Sequence, residues 1–234
     1  MPRYALAIFD CDGVLVDSER IANEVFAACL RELGLDVSLE DMFERFVGHS
    51  MAHCMLQVRE MLGHEPPAGF LEDLQRRTFE AFRCRLEPVE GVIAALDAIE
   101  PVMPVCVASS GDHAKLRLTL GLTGLGSRFE GRVFSVVDVA RPKPAPDVYL
   151  HAAGSMGIPP ADCVVIEDTP IGVAAAVAAG MTVLGFARHT PAARLRDAGA
   201  SDTFTDMAAL PERLLADGRP RRRAWAQPPG RAAE

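Results

Sequence analysis

Short apolar runs rich in β-branched residues recur along the chain, with helical stretches between them. The runs are YALAIF (4–9), PVCVAS (104–109), RVFSVV (132–137), CVVIED (163–168) and MTVLGF (181–186). This alternation predicts βαβ units around a parallel sheet, and runs this continuous predict strands that are covered on both faces. The expected fold class is therefore α/β, with a Rossmann-like parallel sheet core.

The segment between the first two runs is too long to be a single crossover helix. Residues 18–86 have helical spacing and no convincing strand, so we predict an inserted all-helical cap domain there. Residues 1–17 and 87–217 would form the α/β catalytic core. Ligands of open parallel sheets bind beyond the carboxyl ends of the strands, where this cap would cover them. The basic, proline-rich residues 218–234 are expected to form a polar tail.

Composition and charge exclude several classes of function. The net charge of −8 argues against non-specific nucleic-acid binding. The six cysteines show no zinc-ligand spacing, so we interpret them as reduced core thiols. Because the chain has neither a signal-like N-terminus nor an apolar run of 18 residues, we expect a cytoplasmic protein without a membrane or nucleic-acid partner. We expect a monomer or a weak dimer.

Polar side chains stand where the predicted strands end. Two carboxylates follow the first strand, two hydroxyls end the second, a lysine lies in the loop after the third, and two carboxylates end the fourth. These residues are Asp10 and Asp12, Ser109 and Ser110, Lys143, and Glu167 and Asp168. Only two of the 24 basic residues are lysines, Lys115 and Lys143. Since the carboxyl ends of parallel strands share one edge of the sheet, we expect the strand-end residues to lie together.

These residue types suit phosphoryl transfer with a hard metal ion. Carboxylate oxygens from two strands can hold Mg²⁺, which takes the rest of its ligands from water and phosphate. A carboxylate can also attack phosphorus and form an aspartyl-phosphate. A lysine and a hydroxyl would stabilise the transferred group, and a second carboxylate could serve as the general acid and base.

The strand-end residues lie in four segments, FDCDGVLVDS, VASSG, RPKPAPD and VIEDTPIGV. These segments resemble the motifs of the haloacid dehalogenase-like phosphohydrolases, in the branch similar to β-phosphoglucomutase. The resemblance extends from residue 7 to about residue 207 and includes the position of the helical cap. It implies a Mg²⁺-dependent enzyme of the same fold that acts on a small phosphorylated metabolite.

The resemblance also implies a role for each strand-end residue. Asp10 would be the nucleophile, and Asp12 would be the acid and base, with its backbone carbonyl on Mg²⁺. Ser109 and Lys143 would bind the phosphate, with Ser110 as a further candidate. The metal ligands implied are Asp10, Asp12, Glu167 and Asp168.

Each motif alone also has a purely structural interpretation. A D-x-D-G turn can bond its own backbone, two serines can cap a helix, and a lysine between prolines can be a solvated loop residue. The coincidence of all these groups at one sheet edge favours catalysis. The same intact set argues against a binding or regulatory protein that has lost its activity.

Two other activities known for similar proteins fit less well. A haloalkanoate dehalogenase resembles this fold but lacks the metal site that Asp12 and the pair Glu167 and Asp168 would form. A phosphonate hydrolase requires a Schiff-base lysine in the cap, and no lysine precedes Lys115.

The cap should supply the contacts that select the substrate, which we expect to be a sugar phosphate. The candidates are Glu19, Gly48, His49, Ser50 and Arg77. β-Phosphoglucomutase has a histidine on its first cap helix, where this chain has Ala22, and an arginine where this chain has Met51. We therefore expect a phosphatase, with a β-phosphoglucomutase-type phosphosugar mutase as the alternative.

Overall fold

A six-stranded parallel sheet forms the centre of the protein. The structure, a computed structural model, describes residues 4–38, 41–42, 45–46 and 51–215. The strands are β1 Leu6–Phe9, β2 Val105–Ser109, β3 Val133–Ser135, β4 Cys163–Glu167, β5 Thr182–Phe186 and β6 Asp202–Phe204. Their order across the sheet is β3-β2-β1-β4-β5-β6. Each of the five apolar runs contains a strand, so the predicted parallel α/β sheet is confirmed.

The sixth strand was not predicted. β6 has three residues, of which only Phe204 is buried, and it pairs with β5 at the edge of the sheet. A short edge strand that is exposed on one side carries no continuous apolar run, so the pattern that revealed the other five strands is missing here.

Helices cover both faces of the sheet. The α-helices whose two ends both lie in the described residues are α1 Glu19–Glu32, α2 Met51–Leu62, α3 Phe70–Arg85, α4 Val92–Ile99, α5 His113–Leu122, α6 Asp147–Met156, α7 Pro170–Ala178, α8 Ala192–Asp197 and α9 Leu210–Leu215. Side chains alternate along β1, so Ala7 and Phe9 join the apolar cluster with α4, α5 and α9, whereas Leu6 and Ile8 join the cluster with α6, α7 and α8. Full burial of a side chain such as Ile8 contributes roughly 1.5–3 kcal/mol, so β1 anchors both layers.

The helices α1, α2 and α3 surround an apolar cluster of their own. Leu30 of α1, Val58 of α2 and Leu74 of α3 all belong to it, and the rings of Phe26 and Phe46 meet edge to face at 5.1 Å. The helical character predicted for residues 18–86 is confirmed where the structure describes them. Their separate folding as a cap domain stays a prediction, so we call residues 18–86 the helical insert.

The cysteine interpretation needs one correction. All six thiols are free, and five are buried, but Cys84 near the end of α3 is exposed. It stands between the exposed residues Arg83 and Arg85, on the solvent side of an amphipathic helix. Among the described helices, none is long and apolar enough to cross a membrane.

Candidate active site

The first two acidic residues extend from the end of β1 into the carboxyl edge of the sheet. The backbone N–H of Asp10 bonds the carbonyl of Ile166 at 3.0 Å, which continues the pairing with β4 past the end of β1. Cys11, which stands between Asp10 and Asp12 in the sequence, is fully buried in the apolar cluster with α4, α5 and α9, as side-chain alternation predicts. Gly13 then turns the chain with a φ of 74°, and a Cβ on it would lie 2.1 Å from Asp168 Oδ2. Only glycine fits both that backbone conformation and that close approach.

Lys143 joins the ends of β1 and β4. Its ammonium donates to Asp10 Oδ1 at 2.7 Å, to Glu167 Oε1 at 2.8 Å and to the carbonyl of Ala108 at 3.2 Å. The side chain is 4% exposed, and the ammonium lies 4.7 Å from the ring centre of Tyr149. All three ammonium hydrogens therefore have partners at the strand ends, which excludes the solvated-loop interpretation of this lysine.

One ammonium cannot balance two buried carboxylates, and their pKa values diverge. Burial raises the pKa of Glu167, but the charge of Lys143 and hydrogen bonds from Lys143, Thr169 and Tyr149 outweigh it, so this pKa lies below its ordinary value. Burial, only partly offset by Lys143, raises the pKa of Asp10 to about 7. The ionised form of Asp10 is therefore stabilised less than the ionised form of Glu167.

Asp12 has a different pair of donors. Ser18, which precedes α1, donates to Oδ1, and the Lys115 ammonium donates to Oδ2 at 2.7 Å. Burial raises the pKa of Asp12, but the charge of Lys115 and both hydrogen bonds reverse that effect, so the pKa lies below its ordinary value. The two aspartates of one turn are therefore held in different electrostatic environments.

One carboxylate oxygen of Asp168 has no partner among the described residues. Its Oδ1 is buried and has no hydrogen-bond partner in the described part of the chain. Burial raises its pKa well above the ordinary value, and repulsion from Glu19, Glu167 and Asp10 raises it further. Burial likewise raises the pKa of Glu19, the first residue of α1, to about 7, with repulsion from Asp12 and Glu167 adding to the effect.

The acidic residues outnumber the cations that face them. The carboxyl groups are Asp10, Asp12, Glu19, Glu167 and Asp168, and the cations are Lys115 and Lys143. No group of three or more His, Cys, Asp or Glu residues is closed into a metal cage among the described residues, because Lys143 draws Asp10 and Glu167 to itself. The surplus of oxygen donors and the unpartnered Asp168 oxygen nevertheless fit a hard divalent cation such as Mg²⁺.

The two serines differ in exposure. Ser109 ends β2 and is buried, and its Oγ accepts a hydrogen bond from the Gly111 N–H at 3.1 Å, while Ser110 is exposed. The cap of the next helix, α5, is Asp112, whose carboxylate accepts from the Lys115 N–H at 2.8 Å. The alternative that the serines cap this helix is therefore wrong. Their role in phosphate binding stays a prediction.

The candidate substrate residues are only partly described. Gly48, His49 and Ser50 lie outside the described residues. Arg77 forms an ion pair with Glu32 at 2.6 Å, which joins α3 to α1, and a second ion pair with Asp73 of its own helix at 2.7 Å. Substrate contacts by this arginine and by Glu19 stay predictions.

Four further residues contact the strand-end acids although no role was predicted for them. They are Ser18, Lys115, Tyr149 and Thr169. Lys115 carried a detectable signal, because it is one of two lysines in the chain and lies in the first turn of a helix, where a cation opposes the helix dipole. No comparable sequence signal marked the serine or the tyrosine.

Gly172 permits the close approach of α7 to Glu167. A Cβ on this residue would lie 1.6 Å from Glu167 Oε1, and Lys143 and Tyr149 hold that oxygen in place. We expect Gly172→Ala to lower the free energy of unfolding by about 1–3 kcal/mol through overpacking. The control is Gly154→Ala in α6, where nothing lies within 4 Å and the change should stabilise by about 0.5–1 kcal/mol. Denaturant unfolding measures both, and equal effects of the two changes would contradict the packing argument.

Comparisons with known proteins agree with this geometry. Residues 4–180 match the family model of the haloacid dehalogenase-like hydrolases. The 6-phosphogluconate phosphatase of Escherichia coli (strain K12) is 30% identical over 223 residues, which cover 93% of this chain and 98% of that protein. The fructose-1-phosphate phosphatase YqaB of the same strain is 30% identical over 193 residues, which cover 76% and 94%.

A solved structure extends the match to three dimensions. The crystal structure of a HAD family hydrolase from Deinococcus radiodurans R1, with bound phosphate and sodium, superposes with a TM-score of 0.79. It is 32% identical, and the match covers 92% of this chain and 97% of that one. Family model, full-length relative and fold agree, and the chain therefore belongs to the haloacid dehalogenase-like hydrolases.

Proposed function

We propose that this hydrolase is a Mg²⁺-dependent phosphatase that releases phosphate from small phosphomonoesters, sugar phosphates above all, through an aspartyl-phosphate on Asp10. The observation that carries the proposal is the pair of aspartates on one turn, each bonded to a different lysine and driven to a different pKa. Environments that separate the pKa values of two neighbouring carboxyl groups mark them for different chemical roles.

In the first step, an Asp10 carboxylate oxygen attacks phosphorus and the bond to the leaving oxygen breaks. Lys143 and Ser109 would stabilise the charge on the phosphoryl oxygens. Asp12 would give a proton to the leaving alcohol from its protonated form, which its lowered pKa makes the minor one. Mg²⁺ bound by Asp10, the Asp12 carbonyl and Asp168 would favour the ionised form of Asp10 and neutralise phosphate charge.

In the second step, water attacks the aspartyl-phosphate and Asp12 takes a proton from it. The phosphorus bond to Asp10 breaks, inorganic phosphate leaves, and the proton on Asp12 serves the next leaving group. Lys115 and Ser18 bond Asp12 in the form that can accept this proton, which favours hydrolysis.

The substrate class rests on the relatives and on the helical insert. Two phosphatases similar to this chain are named for 6-phosphogluconate and fructose 1-phosphate, both phosphorylated sugar derivatives. The insert begins at α1, directly after the turn with Asp12, so it can act as a cap that excludes water. Glu19 is close enough to Asp12, Glu167 and Asp168 to share their charge repulsion, and its carboxyl group is suited to bonding a sugar hydroxyl.

A phosphatase also fits better than a mutase at one position of α1. Ala22 packs against the main apolar cluster and offers no group that transfers a proton. A mutase must protect its aspartyl-phosphate from water until the sugar is phosphorylated again. Without an imidazole at this position, water should reach the intermediate.

A turnover experiment tests the proposal. The enzyme is incubated with a panel of sugar phosphates, including 6-phosphogluconate and fructose 1-phosphate, with and without Mg²⁺. A parallel reaction contains β-glucose 1-phosphate, Mg²⁺ and a trace of glucose 1,6-bisphosphate. We expect Mg²⁺-dependent release of inorganic phosphate and little glucose 6-phosphate. Rapid isomer formation with little free phosphate would identify a mutase instead.

A further inference from the structure

Each of the two lysines in this chain bonds a different aspartate of the turn after β1. Lys143 bonds Asp10 and Lys115 bonds Asp12, both at 2.7 Å, although 22 of the 24 basic residues are arginines. Lys143 belongs to a motif that the resemblance identified, whereas Lys115 belongs to none. A lysine presents a compact charge on a flexible stem, which reaches a single carboxylate oxygen in a narrow site better than the wide arginine fork does.

The start of α5 aims Lys115 at the strand ends. Asp112 caps the helix by accepting a hydrogen bond from the Lys115 backbone N–H at 2.8 Å. The stem of the lysine passes close to Gly111, where an added Cβ would lie 3.5 Å from its Cδ. A cation in the first turn opposes the helix dipole, so this placement needs a compensating partner, and the Asp12 carboxylate provides it.

Two hydrogen bonds hold the Asp12 carboxylate, one at each oxygen. Ser18 donates to Oδ1 from the start of the helical insert, and Lys115 donates to Oδ2 from the first turn of α5. Each carboxylate oxygen has two lone pairs, so both oxygens can still exchange a proton with a substrate. The Asp12 side chain is 22% exposed and that of Lys115 is 29% exposed, so the pair borders the open part of the site.

We propose that Lys115 is a positioning residue for Asp12: its ammonium holds Oδ2 so that the carboxyl group faces the leaving oxygen and then the attacking water. The inference rests on the proposed function, because it requires Asp12 to be the acid and base. Lys115 acts on the reaction through Asp12 and does not touch the phosphoryl group. Loss of the contact should therefore slow proton transfer and leave substrate binding unchanged.

The test uses substrates that differ in their need for a proton. An alkyl phosphate requires Asp12 to protonate the leaving oxygen, whereas p-nitrophenolate is a stable anion that leaves without help. With enzyme in excess over substrate and Mg²⁺ present, release of the alcohol or of p-nitrophenol reports only the formation of the aspartyl-phosphate. Lys115→Met and Lys115→Gln are compared with wild type, and circular dichroism verifies that each variant is folded.

We expect both Lys115 variants to cleave the alkyl phosphate about 100-fold more slowly, the size of effect that a misplaced catalytic group produces. Release of p-nitrophenol should stay within about threefold of wild type, because Asp12 does not assist it. The enzyme concentration that gives half the maximal rate with the alkyl phosphate should also stay within about threefold, because Lys115 does not touch the phosphoryl group. Arg117→Met is the matched control, since Arg117 is an exposed cation in the same helix, and its rates should remain at the wild-type level.

A double variant tests whether Lys115 acts on the reaction through Asp12 alone. In an Asp12→Asn background there is no acid left to position, so adding Lys115→Met should change the rate by less than about twofold. A further 100-fold loss there, an equal loss with both substrates, or a large rise in the half-saturating enzyme concentration at an unchanged maximal rate would overturn the inference. Cleavage of the alkyl phosphate by Asp12→Asn at the wild-type rate would overturn the proposed function as well. A slow Asp12→Asn variant beside fast Lys115 variants would overturn only the inference about Lys115.

Discussion

Asp10→Asn should abolish turnover and leave the fold intact. Removal of the attacking carboxylate removes the covalent step, so we expect kcat to fall by at least about 10³-fold. The asparagine carbonyl oxygen can still accept the hydrogen bond from Lys143, which keeps the local structure. Phosphate release from the best sugar phosphate measures the effect. A folded variant that kept a tenth of the activity would contradict the nucleophile assignment.

Two controls accompany this variant. Asp97→Asn makes the same chemical change at an exposed carboxylate bonded to Arg128, and it should keep the wild-type rate.

The pH dependence of stability provides the second control. Because burial raises the pKa of Asp10 from 3.8 to about 7, folded wild type binds a proton that the unfolded chain releases. The stabilisation is complete below about pH 4 and is lost as the pH rises to 7. In excess chelator, Asp10→Asn should therefore gain stability relative to wild type as the pH rises from about 4 to about 7, and the difference should stay constant above that range.

Removal of Mg²⁺ should abolish turnover reversibly. The strand-end carboxylates exceed the two lysines in number, and Asp168 Oδ1 is buried without a hydrogen-bond partner in the described structure, so a divalent cation completes the charge balance. Dialysis against excess chelator should stop phosphate release, and added Mg²⁺ should restore it. Full activity in excess chelator would exclude a metal mechanism.

Asp168→Asn should separate metal binding from folding. Loss of a carboxylate ligand should raise the Mg²⁺ concentration for half-maximal activity by about tenfold or more. The metal-free variant should melt at the same temperature as wild type or higher, because repulsion from Glu19, Glu167 and Asp10 is relieved. Since a ligand that binds only the folded state stabilises it, Mg²⁺ should raise the Tm of wild type more than that of the variant. Equal Mg²⁺ requirements would remove Asp168 from the metal site.

Much of the fold could be predicted from the sequence, because burial on both faces leaves a visible pattern. The central strands β1, β2, β4 and β5 are continuous apolar runs, and each was predicted within a residue or two of its observed bounds. The short edge strand β6 has one buried residue and no such pattern. The strand-end acids were also predictable, since a polar group directly after a buried strand must lie at the edge of the sheet.

The contacts among those groups depended on the tertiary structure. Lys143 lies 133 residues from Asp10, and Lys115 lies 103 residues from Asp12. Local periodicity reports which side chains are buried, but it contains no information on which ammonium meets which carboxylate. The strand order places β1 between β2 and β4, and this order brings the loop lysine between Asp10 and Glu167 while α5 carries Lys115 over Asp12. The sequence by itself determined the sheet and its acidic edge, and only the packing of distant elements decided how two lysines share the charge of those acids.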